Sequence, residues 1–452
     1  MQFIRLRIAL LALVLVVVVL GTAVGWAQSS PTTEELEKKI DDLQKQLSDV
    51  KAQLSAMQPA SAPAASQSLV SSGSPSQPAT PAPTLSSLLG GTTLSGFVDA
   101  YYGYNSNQPS NFTNSNQFFN PYSNQFGLNM IELVMDKAPD PSASRTGYHV
   151  ALGFGSAMNA INGSDPAGLG FAQYLKEGYF SYLAPVGKGL QIDVGKFVTP
   201  AGAEVIESKD NWNYTRGLLF YYAIPYFHYG ARAKYVFNDK FSLTGYLVNG
   251  WNNIVATESG KTYGLSVGWN PTKKVSVIEN YLAGPQLAAT VDPGGSNSSW
   301  RQLWDTVVTY SPNSKLSLMV NGDYGRGDRF CLLSSGSGLP CIAASAPVSW
   351  YGAAGYVKYA FNNKCTIATR YEYFSDPNGF ATALGPGLGQ HLQEGTFTFE
   401  RDIASHIISR LEYRHDASSE PFFQKGSKPF SERSQNTATL GLIFTFSTAE
   451  TK

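Results

Sequence analysis

The chain is short of charge. Only 15% of its 452 residues are charged, against roughly a quarter in ordinary soluble domains. Its 33 basic and 33 acidic side chains cancel, which excludes the one-signed field expected of a nucleic-acid binder. Apolar runs are scarce as well. Beyond residues 8–20 no stretch approaches the 18 or so consecutive apolar residues of a membrane helix, so helical spans are excluded. With three cysteines and five histidines, no metal-ligand spacing forms. There is no HExxH, no P-loop and no nucleophile elbow, and no cofactor is indicated.

Aromatics and glycine fill the gap: 25 Tyr, 25 Phe and 43 Gly. Such rings suit strands and the headgroup level of a bilayer. The first 27 residues read as a signal peptide. Arg5 and Arg7 precede the apolar run, and Gly25-Trp26-Ala27 offers a small-x-small cleavage site, which makes Gln28 the mature start. An uncleaved anchor is the other outcome such a segment allows. Residues 28–57 form a periplasmic helical region in which Leu36, Ile40, Leu43, Leu47, Val50 and Leu54 alternate by four and three, an a/d coiled-coil seam. The same stripe also suits an amphipathic helix lying on another surface, and its a and d residues do not separate dimer from trimer. Residues 58–91 are a Pro/Ala/Ser-rich linker.

From residue 92 to 446 the period becomes two. Sixteen alternating runs are read near 94–104, 126–137, 147–156, 171–183, 189–198, 227–237, 241–250, 262–269, 274–283, 300–310, 315–325, 350–360, 364–374, 391–401, 406–416 and 436–446. Short turns alternate with long loops, the pattern of an outer-membrane β-barrel with both termini in the periplasm; a tail, 447–452, follows. One face of these runs is apolar. The other carries Asp99, Glu132, Glu177, Asp193, Arg232, Lys234, Arg301, Asp305, Arg370, Glu372, Arg410, Glu412 and Arg414. Charge in hydrocarbon costs several kcal/mol, so this set should face a water-filled lumen as a pore wall. The fold class is therefore all-β, a transmembrane antiparallel barrel of about sixteen strands, preceded by a short helix.

Residues 189–230 hold the candidate filter: a strand, GLQIDVGKF, then a loop with Glu204, Glu207, Asp210 and Arg216, then LLFYYAIPYFHYG. Lys196 shares parity with Leu190, Ile192 and Val194, which aims it at lipid. Either a bulge near Gly195 turns it inward or it snorkels to the interface from the strand end, and the bulge is expected because it gives the loop acids a basic partner. Cys331 and Cys341 lie in a Gly/Ser-rich loop, placed for a disulfide in an oxidising compartment or as two free thiols; Cys365 reads as a small apolar strand residue. His149 and Ser156 are too weak a pair to suggest a barrel-borne lipase.

The segments LKEGYFSYLAP, GLQIDVGKFVTPAGAE, NWNYTRGLLF and IPYFHYGARAKYVF resemble the OmpL-like β-barrel porin-2 family, with LVNGWNN and RLEYRHDAS similar too. The resemblance spans about residues 94 to 446 and implies a bacterial outer-membrane channel for small hydrophilic solutes or ions, without catalysis. In general porins the third long loop folds inward, which makes Lys196, Glu204, Glu207, Asp210 and Arg216 the expected constriction, facing basic wall residues across a transverse field. Some trimeric porins also carry an N-terminal coiled coil, so a homo-trimer in outer-membrane lipid is implied. The other class of function is a barrel anchor or adhesin whose loops bind a partner and whose helix reaches peptidoglycan.

Overall fold

The computed structural model describes residues 45, 90–163, 170–256, 258–286, 297, 299–327, 330–332, 342–344, 347–383 and 388–449. The coiled-coil residues Leu36, Ile40, Leu43, Leu47, Val50 and Leu54 and the signal segment therefore lie outside the described residues.

The strands begin with β1 (Thr93–Asn105), β2 (Gln125–Lys137), β3 (Thr146–Phe154), β4 (Leu175–Ala184), β5 (Leu190–Val198) and β6 (Phe227–Asn238). There follow β7 (Phe241–Val248), β8 (Thr262–Thr272), β9 (Val275–Pro285), β10 (Trp300–Tyr310), β11 (Leu316–Gly327), β12 (Phe330–Leu332) and β13 (Ile342–Ala344). The chain ends through β14 (Val348–Asn362), β15 (Cys365–Asp376), β16 (Gln390–Ala404), β17 (Ile407–Ser418), β18 (Phe423–Lys425), β19 (Lys428–Glu432) and β20 (Ser434–Ser447). A short helix, α1 (Ser156–Asn162), follows β3.

Sixteen of these strands pair in sequence order and close into one barrel, while β12–β13 and β18–β19 are small hairpins within long loops. Closure joins β1 to β20 from Ser95↔Ser447 to Asn105↔Thr437. All sixteen strands expected from the alternation are present, the largest end difference being in β4. There residues 171–174 belong to a 3-10 turn and its exit rather than to the strand.

The alternation decides the faces. Along β17 Arg410, Glu412, Arg414 and Asp416 are buried, while Leu411 and Tyr413 are exposed. Along β20 Thr437 and Thr439 are buried and Leu440, Leu442 and Phe444 are exposed. Inverted burial of this kind, apolar outward and charged inward, is stable only where the outside is hydrocarbon. Rings gather at both margins of the outer face. Phe237, Phe241, Trp269, Tyr310 and Phe361 lie near the short turns, and Tyr104, Phe126, Tyr263, Tyr324 and Tyr351 lie near the long loops. These are the two aromatic girdles of a membrane barrel.

Asparagine sets several short turns. Asn238 Oδ1 accepts from Lys240 N at 2.9 Å, Asn313 Oδ1 from Lys315 N at 2.9 Å, and Asn362 Oδ1 from Lys364 N at 2.8 Å. Each is a side chain standing in for a turn carbonyl.

Leu440 sits midway along β20 on the outer face. Leu440→Arg is expected to lower the folding free energy in lipid vesicles by about 2–4 kcal/mol. Unchanged stability of that variant in a denaturant titration would contradict the assignment of this face to hydrocarbon.

Candidate functional site

Residues 199–226, between β5 and β6, turn into the barrel. Glu204, Ile206, Ser208, Asn211, Asn213, Tyr214, Thr215, Arg216 and Leu218 are all buried. The stretch 208–218 crosses the lumen beside β15, β16 and β17, and its peptide groups bond to wall side chains rather than to a strand. Glu412 Oε2 accepts from Tyr214 N at 2.6 Å, and its Oε1 accepts from Thr215 N at 3.0 Å. Arg370 donates to Thr215 O at 2.7 Å, Arg414 to Arg216 O at 2.7 Å, and Arg410 to Asn211 O at 2.8 Å. Glu372 accepts from Leu218 N, and Arg410 also donates to Ser208 O. Further round the same wall, past β20, Asp99 on β1 accepts from Tyr214 OH at 2.6 Å and from Ser208 Oγ at 2.5 Å.

The strand registers supply this cradle. Glu372, Glu394 and Asp416 form one row across β15, β16 and β17. Arg370, Thr396 and Arg414 form the next row, Thr398 and Glu412 another, and Glu400 and Arg410 the one after. Acid and base rows alternate, so each guanidinium reaches a carboxylate and still has donors for loop carbonyls. Arg370 pairs with Glu394 and with the loop's Glu204, and Arg414 pairs with Asp416 at 2.6 Å. Gly441 of β20 faces Tyr214 so closely that a Cβ there would meet the ring.

Beyond residue 218 the loop is apolar. Leu219–Ala223 makes a single π-helical turn. Leu218, Leu219, Phe220, Ile224 and Tyr226 join Phe97, Met130, Met158 and Phe374 in one buried cluster. The lumen was expected to hold water rather than a packed core; at the level of this loop it holds a packed core as well, because LLFYYAI folds inward instead of returning directly to the wall. Burial pushes the Tyr221 hydroxyl up to about 12 and the Tyr214 hydroxyl well above its usual range. Burial also lowers the Arg216 guanidinium.

The expected filter residues fall in several settings. Glu204 meets Arg370 directly, and its other oxygen accepts from Gly217 N at 2.6 Å. Glu207 meets Lys176 on β4. Asp210 is exposed and bonded to its neighbour Lys209 at 2.6 Å. Arg216 is completely buried inside the loop, 4.9 Å from the Phe119 ring centre, and donates to Tyr214 O at 3.3 Å. The facing rows of acid and base read from the sequence are thus replaced by contact pairs. At hydrogen-bond distance in a desolvated lumen, direct pairing is stronger than attraction across a gap.

Lys196 departs from expectation in its surroundings. No register shift occurs in β5 against either neighbour. Gly195 takes φ 141°, where a Cβ would strike Gly178 and Tyr179. Lys196 is fully buried, donating to Asn162 Oδ1 and Leu175 O, each at 2.6 Å, with its ammonium 3.9 Å from the Phe227 ring centre. The shift lies in β4, where the ladder passes from Ala151↔Glu177 to Leu152↔Leu175 and skips Lys176. That bulge brings Lys176 to Glu132 and Glu207, the partnership expected of Lys196.

On the wall, Asp193 holds Arg232 at 2.8 Å, Asp305 accepts from Asn280 at 2.7 Å, and Glu177 lies 3.5 Å from His149. Lys234 is exposed, in register with Gln191 and Thr244. Ser156 Oγ donates to Phe119 O and Leu128 O, and His149 bonds Asp136, so these two do not pair with each other. Cys341 lies outside the described residues, Cys331 pairs in register with Ala343, and Cys365 is a half-buried free cysteine. Lys176, Glu394 and Asp416 were not singled out from the sequence. Asp416 and Glu394 do keep the parity of their charged neighbours, whereas Lys176 is aimed inward by a bulge that leaves no mark in the alternation.

The family model for beta-barrel porin-2, OmpL-like, matches residues 91–446. The chain belongs to that family. It is an outer-membrane barrel of the porin type. Similar solved structures include the anion-selective porin from Comamonas acidovorans, 9% identical, TM-score 0.52, covering 78% of this chain and 99% of that one. The outer membrane channel DcaP of Acinetobacter baumannii is 11% identical, TM-score 0.49, with 78% and 97% covered. OmpF of Salmonella typhi, solved with daunomycin, is 10% identical, TM-score 0.49, with 78% and 97% covered. At 9% identity the likeness to the Comamonas porin speaks for the barrel fold alone. No curated protein matches the chain.

Removing Glu412 leaves two buried amides and the hydroxyls of Thr215 and Thr398 without their acceptor, a cost on the order of 2–3 kcal/mol. In this porin Glu412→Ala is expected to free residues 208–218, so that trypsin added to the folded barrel cuts after Lys209 or Arg216 while the wild type resists. Equal resistance of both proteins would contradict the cradle.

Proposed function

We propose that this porin is a passive diffusion channel for small hydrophilic solutes or ions, with residues 199–226 narrowing its lumen. The observation that carries the reading is the Glu412 carboxylate bonded to two successive amides of the loop, because it fixes a peptide segment across the lumen instead of leaving it on a loop surface. Selectivity then follows from what the paired charges leave exposed beside the loop, and not from two bare rows of opposite sign. Family membership supports the reading, and the chemistry is binding and passage, without catalysis or cofactor.

The segments before residue 90 complete the proposal: a cleaved signal peptide, a coiled-coil helix in the periplasm joining three copies, and a Pro/Ala/Ser-rich spacer. The trimer is part of this proposal, resting on the a/d seam.

Planar-bilayer recordings test it. Purified full-length protein should give discrete, stable conductance steps, and Glu412→Ala should raise the unit step by about half or more, since an aqueous path widens when a tethered segment is released. Pure protein that folds as a barrel and gives no stable step would refute the channel and favour the anchor.

A further inference from the structure

At the long-loop end of the barrel a cavity of about 700 Å³ is bounded by ring faces and one cation. Arg301, near the start of β10, is the sole charged side chain among the described residues that line it. Its cross-strand neighbours are Gly284 and Gly327, so neither adjoining strand places a side chain beside it. Two rings hold it: the Trp251 ring centre lies 5.0 Å away and that of Phe380 4.9 Å away. Glu258 is close enough to act on its charge, yet is not among its hydrogen-bond partners; no acceptor for Arg301 occurs among the described residues.

Several other polar groups of the wall are already in use. Asn252 Oδ1 accepts from Tyr226 N at 2.7 Å and from Phe227 N at 3.2 Å. Gln286 accepts from Trp251 N at 3.0 Å and donates to Thr262 at 2.7 Å. Trp350 Nε1 donates to Ala223 O at 3.0 Å, and Tyr222 OH to Asn116 at 2.7 Å. What remains along the cavity wall is ring surface, three polar atoms without a hydrogen-bond partner among the described residues (Trp251 Nε1, Tyr221 OH and Ser299 Oγ), and a guanidinium whose edge has donors to spare.

We propose that this vestibule binds an organic anion that joins a carboxylate to a planar apolar body. The carboxylate docks on the fork of Arg301, a two-bond geometry that guanidinium offers and ammonium does not. The planar body packs against Trp251 and Phe380 on the cavity wall, with Trp350 backing Phe380 at 5.0 Å and the two ring planes 28° apart. An inorganic anion would use the cation and waste the rings; a neutral sugar would use the rings and leave the cation unmet. The site names a solute class for the channel and rests on that reading for passage, but not for binding.

Tryptophan fluorescence of the full-length protein, folded in detergent, tests it with benzoate, acetate and benzyl alcohol as probes. Benzoate should give a saturable change, with acetate and benzyl alcohol each binding about tenfold or more weaker. Arg301→Gln should weaken benzoate about tenfold, with Arg301→Lys intermediate and both variants keeping the heat-dependent gel shift of a folded barrel. No saturable response to benzoate, an equal response to benzyl alcohol, or undiminished benzoate binding in Arg301→Gln would each overturn the proposal. Benzoate binding by a protein that opens no channel would refute the channel and leave this site standing.

Discussion

A peptide segment inside a barrel has no ladder to join. Every strand neighbour of the wall is already taken, so the N–H and C=O groups of residues 208–218 must find side chains or water. In this porin they find Glu412, Glu372, Arg370, Arg410 and Arg414. That requirement accounts for a wall whose charges alternate strictly every second residue along β17, with Thr and Glu partners in register on β16. Charge-assisted bonds are roughly twice as strong as neutral ones. They hold the segment together with ring contacts to the wall, Trp212 on Tyr356 and Tyr214 on Tyr101.

The same bonds set the electrostatics of the lumen. A guanidinium that serves a carboxylate and two carbonyls has little field left to project. Arg370 between Glu204 and Glu394, and Arg414 between Asp416 and Arg216 O, are structural ties first. Arg301 differs, because its neighbours across the ladder are glycines and its contacts are rings. Among the described residues, the lumen therefore combines a cradle of paired charges with a guanidinium set against rings at the long-loop end.

The barrel was legible in the sequence because period-two alternation is local: RLEYRHD gives both faces of β17 without reference to any other strand. Strand ends were legible too, where Asn and Gly mark turns. Parity also identified the wall charges, but it carries no information about what each one touches. Whether Arg410 faces water or Ser208 O depends on where a loop 200 residues earlier in the chain lies. The exchange of Lys196 for Lys176 has the same cause. Alternation assumes an unbroken ladder, and one skipped residue in β4 brings Lys176 to the acids expected to meet Lys196. The placing of the apolar LLFYYAI run was not legible for a different reason, since an aromatic run can serve a lipid face or an internal cluster equally well.

The central claim is that residues 208–218 are fixed in the lumen by the charged wall. Amide hydrogen exchange on the folded protein in detergent addresses it directly. The account predicts that the amides of Tyr214, Thr215 and Leu218 exchange as slowly as those of β16 and β17. Exchange of these three amides as fast as that of the exposed Ser142 turn would contradict it.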